Sequence, residues 1–429
     1  MTSLRDEIAD GVERLEQLLE KLPDVVARGV KDRLEELRLL LLEQRPARLA
    51  LVGRRGSGKS SLINAIFGHP VAEVGHEKAQ TGRGRWWTFH GSLGAIDILD
   101  TRGLQEGSAP EQPDAAGSPL ASVLRAIDEK LPDAIVFIVK AKEVDAAIDA
   151  DIQLLQDISH EVNRRGRFQI PIIGVVTHAD ELEPKNVKLH APEAEDARDI
   201  DEKLARVRVI ESLLHKRLRD SRLKDQVVTV HAVSSYQSFR TDGTRRADER
   251  WRIDELIRFL VLELPREARV ETARLSQVRS VQRDIANTLT NVVASLSAGI
   301  AAVPIPIADI APLTSLQVSL IASISYLSGQ RFGSKAAVEF LTGMGLNVGA
   351  GFVLREAARS LVKWVFPGAG SVVSAAVAYA GSYAVGRAAI AYFIDHVSFE
   401  EAKSSFRDAR EAAAQTDPNG SDNQGSSVP

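Results

Sequence analysis

The chain has 429 residues, 44% of them apolar and 26% charged, which is more than one hydrophobic core usually serves and excludes disorder over the whole length. A formal net charge of −4 with no long block of like charges argues against nucleic acid as a partner. The absence of cysteine excludes disulfides, thiolate nucleophiles and cysteine-bound zinc, and suits a reducing compartment.

The opening MTSLRDEIAD is acidic and lacks the apolar run of a secretory signal, so residence on the cytoplasmic side is expected. Residues 1–45 read as a helical segment. Leu4, Ile8, Val12, Leu15, Leu19 and Leu22 step by three or four, and after Pro23 the stripe continues through Val30, Leu34, Leu37 and Leu41, as an amphipathic helix requires. Over 46–265 the pattern becomes short β-rich runs separated by helical stretches: 48–52, 85–89, 95–99, 134–139, 170–176 and 227–233. This alternation predicts an α/β unit with a doubly wound, mainly parallel sheet. Residues 266–405 predict an all-α domain, and 406–429, ending in Gly, Ser, Asn and Asp, a disordered tail.

Gly53, Gly56, Ser57, Gly58, Lys59, Ser60 and Ser61 lie in GRRGSGKSS, between the strand RLALV and the helix SSLINAIF. The spacing G-x-x-x-x-G-K-[ST] lets backbone N–H groups converge on phosphates, brings Lys59 to the β- and γ-phosphates and gives Ser60 to Mg²⁺. In AIDILDTRG, Asp100 stands at the strand end as a second magnesium partner, whereas Asp97 lies within the strand on the side of Leu99. Thr177, His178 and Asp180, in THAD, follow another strand, and the carboxylate of Asp180 suits the two donors of guanine. Ser234 or Ser235, in VSS, is expected to offer an N–H to the guanine oxygen. Arg54 and Arg55, inside the phosphate loop, are placed to meet transition-state charge in cis or across a dimer.

In this order, GRRGSGKSSLINAIFG, DTRG, THAD and VSS resemble the motifs of the Era/TrmE-like and septin/dynamin-like P-loop GTPases, and the first also resembles that of the immunity-related GTPases. The resemblance implies GTP and GDP as ligands, Mg²⁺ as cofactor, Thr81 as a switch threonine on Mg²⁺ and γ-phosphate, and Gly103 as the γ-phosphate sensor. Two departures stand out. His178 replaces the usual lysine, and Leu104 occupies the place of a water-orienting glutamine, so hydrolysis is expected to be slow without assistance from a dimer or an arginine.

The stretch 285–395, PIPIADIAPLT above all, resembles the YcjF-type helical domain found after Era-like GTPase domains, which implies membrane lipid contact, at the inner membrane. Its residues support an apolar hairpin over 285–330, with Pro304, Pro306 and Asp309 at the break and Arg279, Arg283, Arg331 and Lys335 on the flanks. The alternative is a buried bundle closed by the N-terminal helices, which Ser315, Gln317, Ser319 and the many alanines also suit. The expected function is thus a Mg²⁺-dependent GTP-hydrolysing switch coupled to a membrane-associated helical domain and able to form a nucleotide-dependent homodimer. A scaffold or pore-like protein with negligible turnover and an ATPase are the alternatives.

Overall fold

The computed structural model describes residues 24–68, 85–100, 119–145, 148–301, 311–330, 334–344 and 371–415, with positions 13 and 70. The chain divides into two compact units, Pro46–Val278 and Met1–Arg45 together with Arg279–Pro429.

In the first unit, β1 (Ala47–Val52), β2 (Arg85–His90), β3 (Ala95–Asp100), β4 (Ala134–Lys140), β5 (Ile172–Thr177) and β6 (Val227–Ala232) form one sheet in the order β2-β3-β1-β4-β5-β6. All pairings but β2 with β3 are parallel. Successive residues of a strand face opposite sides, and both sides are apolar here. Ala50, Val52, Leu99, Ile135 and Phe137 pack under α3 (Pro119–Glu129), α4 (Ile148–Gly166) and α5 (Ala197–Arg219). Leu49, Leu51, Ile96, Ile98, Val136 and Ile173 turn the other way, towards α2 (Lys59–Phe67) and α6 (Ile253–Glu263). This is the doubly wound, mainly parallel architecture that the alternation predicts. It brings the C-terminal ends of β1, β3, β4, β5 and β6 to one edge, where such sheets bind ligands.

The unit runs further than the predicted 265. The helix α7 (Arg266–Ser276) packs on β1 and β3, and its Arg274 Nη1 donates to Leu93 O at 2.8 Å, so the boundary falls after Val278. A hairpin of β7 (Gln237–Phe239) and β8 (Arg245–Asp248) is also new. Its signal, Asp242-Gly243 with Gly243 at φ +81°, is a recognised hairpin turn.

The second unit contains α1 (Asp24–Leu41), α8 (Arg279–Ala301), α9 (Ala311–Leu327), α10 (Ser334–Gly343), α11 (Ser371–Ala389) with a π-helical turn Ile390–Ile394, and α12 (Phe399–Gln415). Val30, Leu34, Leu37 and Leu41 of α1 are buried. The rest of the N-terminal stripe lies outside the described residues. The helix α8 packs against α1, α9 and α11, and its buried face mixes Val281, Ile285, Leu289 and Leu296 with Gln282, Thr290 and Ser297.

Two expectations are corrected. Among the described residues no helix is long and apolar enough to cross a membrane. The physical reason is visible in α8 and α9: α8 opens on Arg279, Arg283 and Asp284, and α9 has 17 residues. Several of their polar groups bond within the bundle: Gln317 Nε2 donates to Ser382 Oγ at 3.1 Å, Ser382 Oγ to Ser297 Oγ at 2.8 Å, and Gln282 Nε2 to Leu327 O at 2.7 Å, while the buried Ser325 hydroxyl has no partner. The break at Pro304, Pro306 and Asp309 lies outside the described residues. Secondly, α12 continues to Gln415, so residues 406–415 are helical and not part of a tail; 416–429 lie outside the described residues.

Candidate nucleotide-binding site

The chain leaves β1 at Val52 and turns through the glycine-rich loop into α2. A Cβ on Gly53 would stand 2.3 Å from Ile138 O, so the loop lies directly against β4 and tolerates no side chain there. Gly58, at φ +91°, precedes α2, and a Cβ on it would meet His178 Cε1 at 3.3 Å. Gly56 is also left-handed, at φ +73°. Lys59 is buried, and its Nζ donates to Gly53 O at 2.5 Å and Arg54 O at 2.7 Å, which curls the ammonium back over the loop. Ser60 and Ser61 are half-buried in the first turn of α2. Ser57 is buried, and its Oγ has no hydrogen-bond partner.

Asp100 ends β3 and is paired in register with Leu51, one residue before β1 ends, so it adjoins the loop. Asp97 is held elsewhere: Thr88 Oγ1 and Lys130 Nζ each donate to it at 2.6 Å. The strand β2 divides its tryptophans as alternation requires: Trp86 is half-buried with Nε1 donating to Ala126 O at 2.9 Å, and Trp87 is exposed. Thr81, Gly103 and Leu104 lie outside the described residues.

Thr177 ends β5, and its buried hydroxyl donates to Ser57 O at 2.7 Å, tying the THAD turn to the phosphate loop. With that proton committed, His178 Nδ1, 3.0 Å from Thr177 Oγ1, carries a proton and donates. His178 adopts a left-handed backbone, φ 58°. Burial pushes its pKa below the ordinary histidine value, Lys140 assists, and Glu181 and Asp180 oppose; the ring is neutral at neutral pH. Asp180 sits in a one-turn 3₁₀ segment, Ala179–Glu181, anchored by Ala179 N donating to Val233 O at 3.2 Å and by the Lys142–Glu181 pair at 2.8 Å.

Two residues do not match the sequence reading. The N–H of Ser234 donates to Trp251 O at 3.2 Å, and Trp251 N returns a bond to Ser234 O at 3.0 Å, so this N–H is committed to the segment after the hairpin and not to a base. Ser235 is buried beside it, and the hydroxyls of both serines lack partners. Arg54 is held by Asp151 of α4, with Nε 2.8 Å from Oδ2 and 3.2 Å from Oδ1. Burial raises the pKa of Asp151 and Arg54 opposes the rise. Arg55 is exposed. Asp151 was not singled out because nothing in the sequence links it to the loop 97 positions away.

A loop held open by left-handed glycines, a buried lysine and a helix N-terminus is chemically suited to an anionic phosphate chain. The oxygens of Ser60 and Asp100 are hard donors of the kind magnesium prefers. Residues 48–178 match the model of the family described as 50S ribosome-binding GTPase. No curated protein matches the chain. Among solved structures, Era in complex with MgGDPNP and nucleotides 1506–1542 of 16S ribosomal RNA is 19% identical at a TM-score of 0.31, over 59% of this chain and 68% of that one. An Era variant from Aquifex aeolicus bound to GDP·AlF4⁻ is 17% identical at 0.31, over 58% and 66%. Chloroplast translocon components, for whose GTPase activity dimerization is important, are 19% identical at 0.34, over 56% and 91%. The chain carries a P-loop GTPase domain and is a GTP hydrolase.

Proposed function

We propose that this GTP hydrolase is a magnesium-dependent switch whose nucleotide state is read by its helical unit. The carrying observation is the convergence of the phosphate loop, Asp100 and the Thr177–Asp180 turn on one sheet edge, cross-linked by the Thr177–Ser57 hydrogen bond. In this reading Lys59 neutralises the β- and γ-phosphates and the loop N–H groups of residues 53–61 hold them. Ser60, Asp100 and, when GTP is bound, Thr81 hold Mg²⁺, which supplies counter-charge to the phosphate oxygens. Gly103 senses the γ-phosphate, and Asp180 accepts from guanine N1–H and the 2-amine, with Ser235 beside the base. The test is Asp180→Asn. Preference is expected to move from GTP towards xanthosine triphosphate, whose added carbonyl accepts where guanine donates; full retention of GTP preference would assign the base to another residue.

With Arg54 committed to Asp151, Arg55 is the arginine we assign to transition-state charge, in cis or across a nucleotide-dependent homodimer. For the helical unit we keep a lipid contact on the cytoplasmic side of the inner membrane, made through the C-terminal helices. Its support is the apolar composition of AVPIPIADI and its resemblance to the YcjF-type domain. Flotation with anionic liposomes in both nucleotide states tests it, and protein that stays unbound in each state refutes it.

A further inference from the structure

Lys203 of α5 is wholly buried. A cation in that position needs compensation, because removing a charge from water is costly unless its donors are satisfied. No ion pair provides it among the described residues. Instead Nζ donates to three carbonyls, Asp180 O at 2.7 Å, Pro184 O at 3.1 Å and Val187 O at 2.7 Å, which uses all the donors an ammonium has. The three acceptors belong to one stretch, the turn after β5 that carries Asp180. Val187 of the same stretch is buried, and so is the bond to its carbonyl, whereas the bonds to Asp180 O and Pro184 O are part-buried; bonds from a charged donor are the strong kind. Electrostatics acts in the same direction: burial lowers the Lys203 pKa, and Asp180, then Glu183 and Glu195, oppose it, so the charged ammonium and the Asp180 carboxylate favour one another.

We propose that Lys203 is a positioning residue for base recognition, its ammonium fixing the Asp180–Val187 backbone so that the Asp180 carboxylate stands pre-set for the guanine edge. This rests on the assignment of Asp180 to the base. Lys203 touches neither phosphate nor magnesium in this reading, and its effect is on discrimination among bases.

The experiment uses the full-length chain with Mg²⁺ and compares affinities for GTP and for inosine triphosphate, which lacks the 2-amine. Lys203→Met is expected to lower the GTP-to-ITP affinity ratio by about tenfold, the worth of roughly one hydrogen bond to a charged group. Lys203→Gln, whose amide can still donate to two of the carbonyls, is expected to restore part of the ratio; a lysine that merely supports the fold would not give that graded recovery. A folded Lys203→Met protein with the wild-type ratio overturns the proposal. If Asp180→Asn leaves base preference intact the base assignment fails, whereas if it alters preference while Lys203→Met does not, only the positioning role fails. Should neither lysine variant fold, hydrogen exchange of wild-type peptides over 178–190 decides. Protection already present without nucleotide supports the pre-set turn, and protection that arises only on GTP binding refutes it.

Discussion

Lys59 is buried in the phosphate loop, with its ammonium donating to Gly53 O and Arg54 O. It is the cation that the loop itself places, so Lys59→Ala is expected to remove GTP binding, lowering affinity by about 100-fold or more on loss of a charge-assisted contact; nucleotide titration of the variant checks it. Arg55→Ala is expected to cut turnover by about 10³ or more, the range of a supplied arginine, in an assay that also asks whether specific activity rises with protein concentration. Arg54→Ala belongs to stability: it leaves the buried Asp151 carboxylate without its arginine, and unfolding in urea should register a loss of about 1–3 kcal/mol, less than for a fully buried pair because Arg54 is partly solvated. The pH response follows from two histidines. Burial holds His178 and His231 below the ordinary value of 6.5. The unfolded chain therefore binds more protons below that pH, and their contribution to stability is complete above 6.5 and is lost as pH falls through the folded values. His231 accepts from Arg252 Nη2 at 2.9 Å and packs on Phe259; His231→Phe should make the acid-side slope shallower. The places of Lys59 and Ser60 at the start of a helix and of Asp100 at a strand end were legible because glycine spacing and strand parity are local. Asp151 and Lys203 were not, since what gives them meaning is a partner brought near only by folding, and a lone charge on a helix reads as a solvated one.

Among elements, the sheet was legible almost strand by strand, because runs such as AIVFIVK and IIGVVT are apolar on both faces and fit only a doubly covered strand. The helical region was harder. Ala-, Gly- and Ser-rich helices look alike whether their neighbour is lipid or protein, and the helix that decides the matter, α11, begins 70 residues after α8 ends. The contact between them can be tested through two glycines of α11. A Cβ on Gly386 would lie 2.3 Å from Thr290 Oγ1, whereas at Gly381 it would meet nothing within 4 Å, so Gly386, and not Gly381, marks the close approach. Gly386→Ala is expected to destabilise the bundle by about 1–3 kcal/mol through overpacking, and Gly381→Ala to be neutral or to stabilise by up to about 1 kcal/mol. Thermal unfolding of the two variants side by side checks both signs.

At the scale of the whole molecule, the nucleotide unit is an insertion between α1 and α8, two helices that pack on each other. A fragment comprising residues 46–278 is therefore expected to fold and bind GTP with undiminished affinity, measured by titration against the full chain; loss of binding would show that the helical unit completes the site. The same arrangement sets an order of events on the ribosome. Val30, Leu34, Leu37 and Leu40 of α1 emerge early, but their partner α8 is made only after the whole nucleotide unit, about 240 residues later. At roughly 5–20 residues per second that interval is about 10–50 s, during which an apolar helix face must wait beside an already folding GTPase. Slowing translation lengthens the wait and should raise the demand for a chaperone, while a chain permuted so that α1 follows α12 would be free of it.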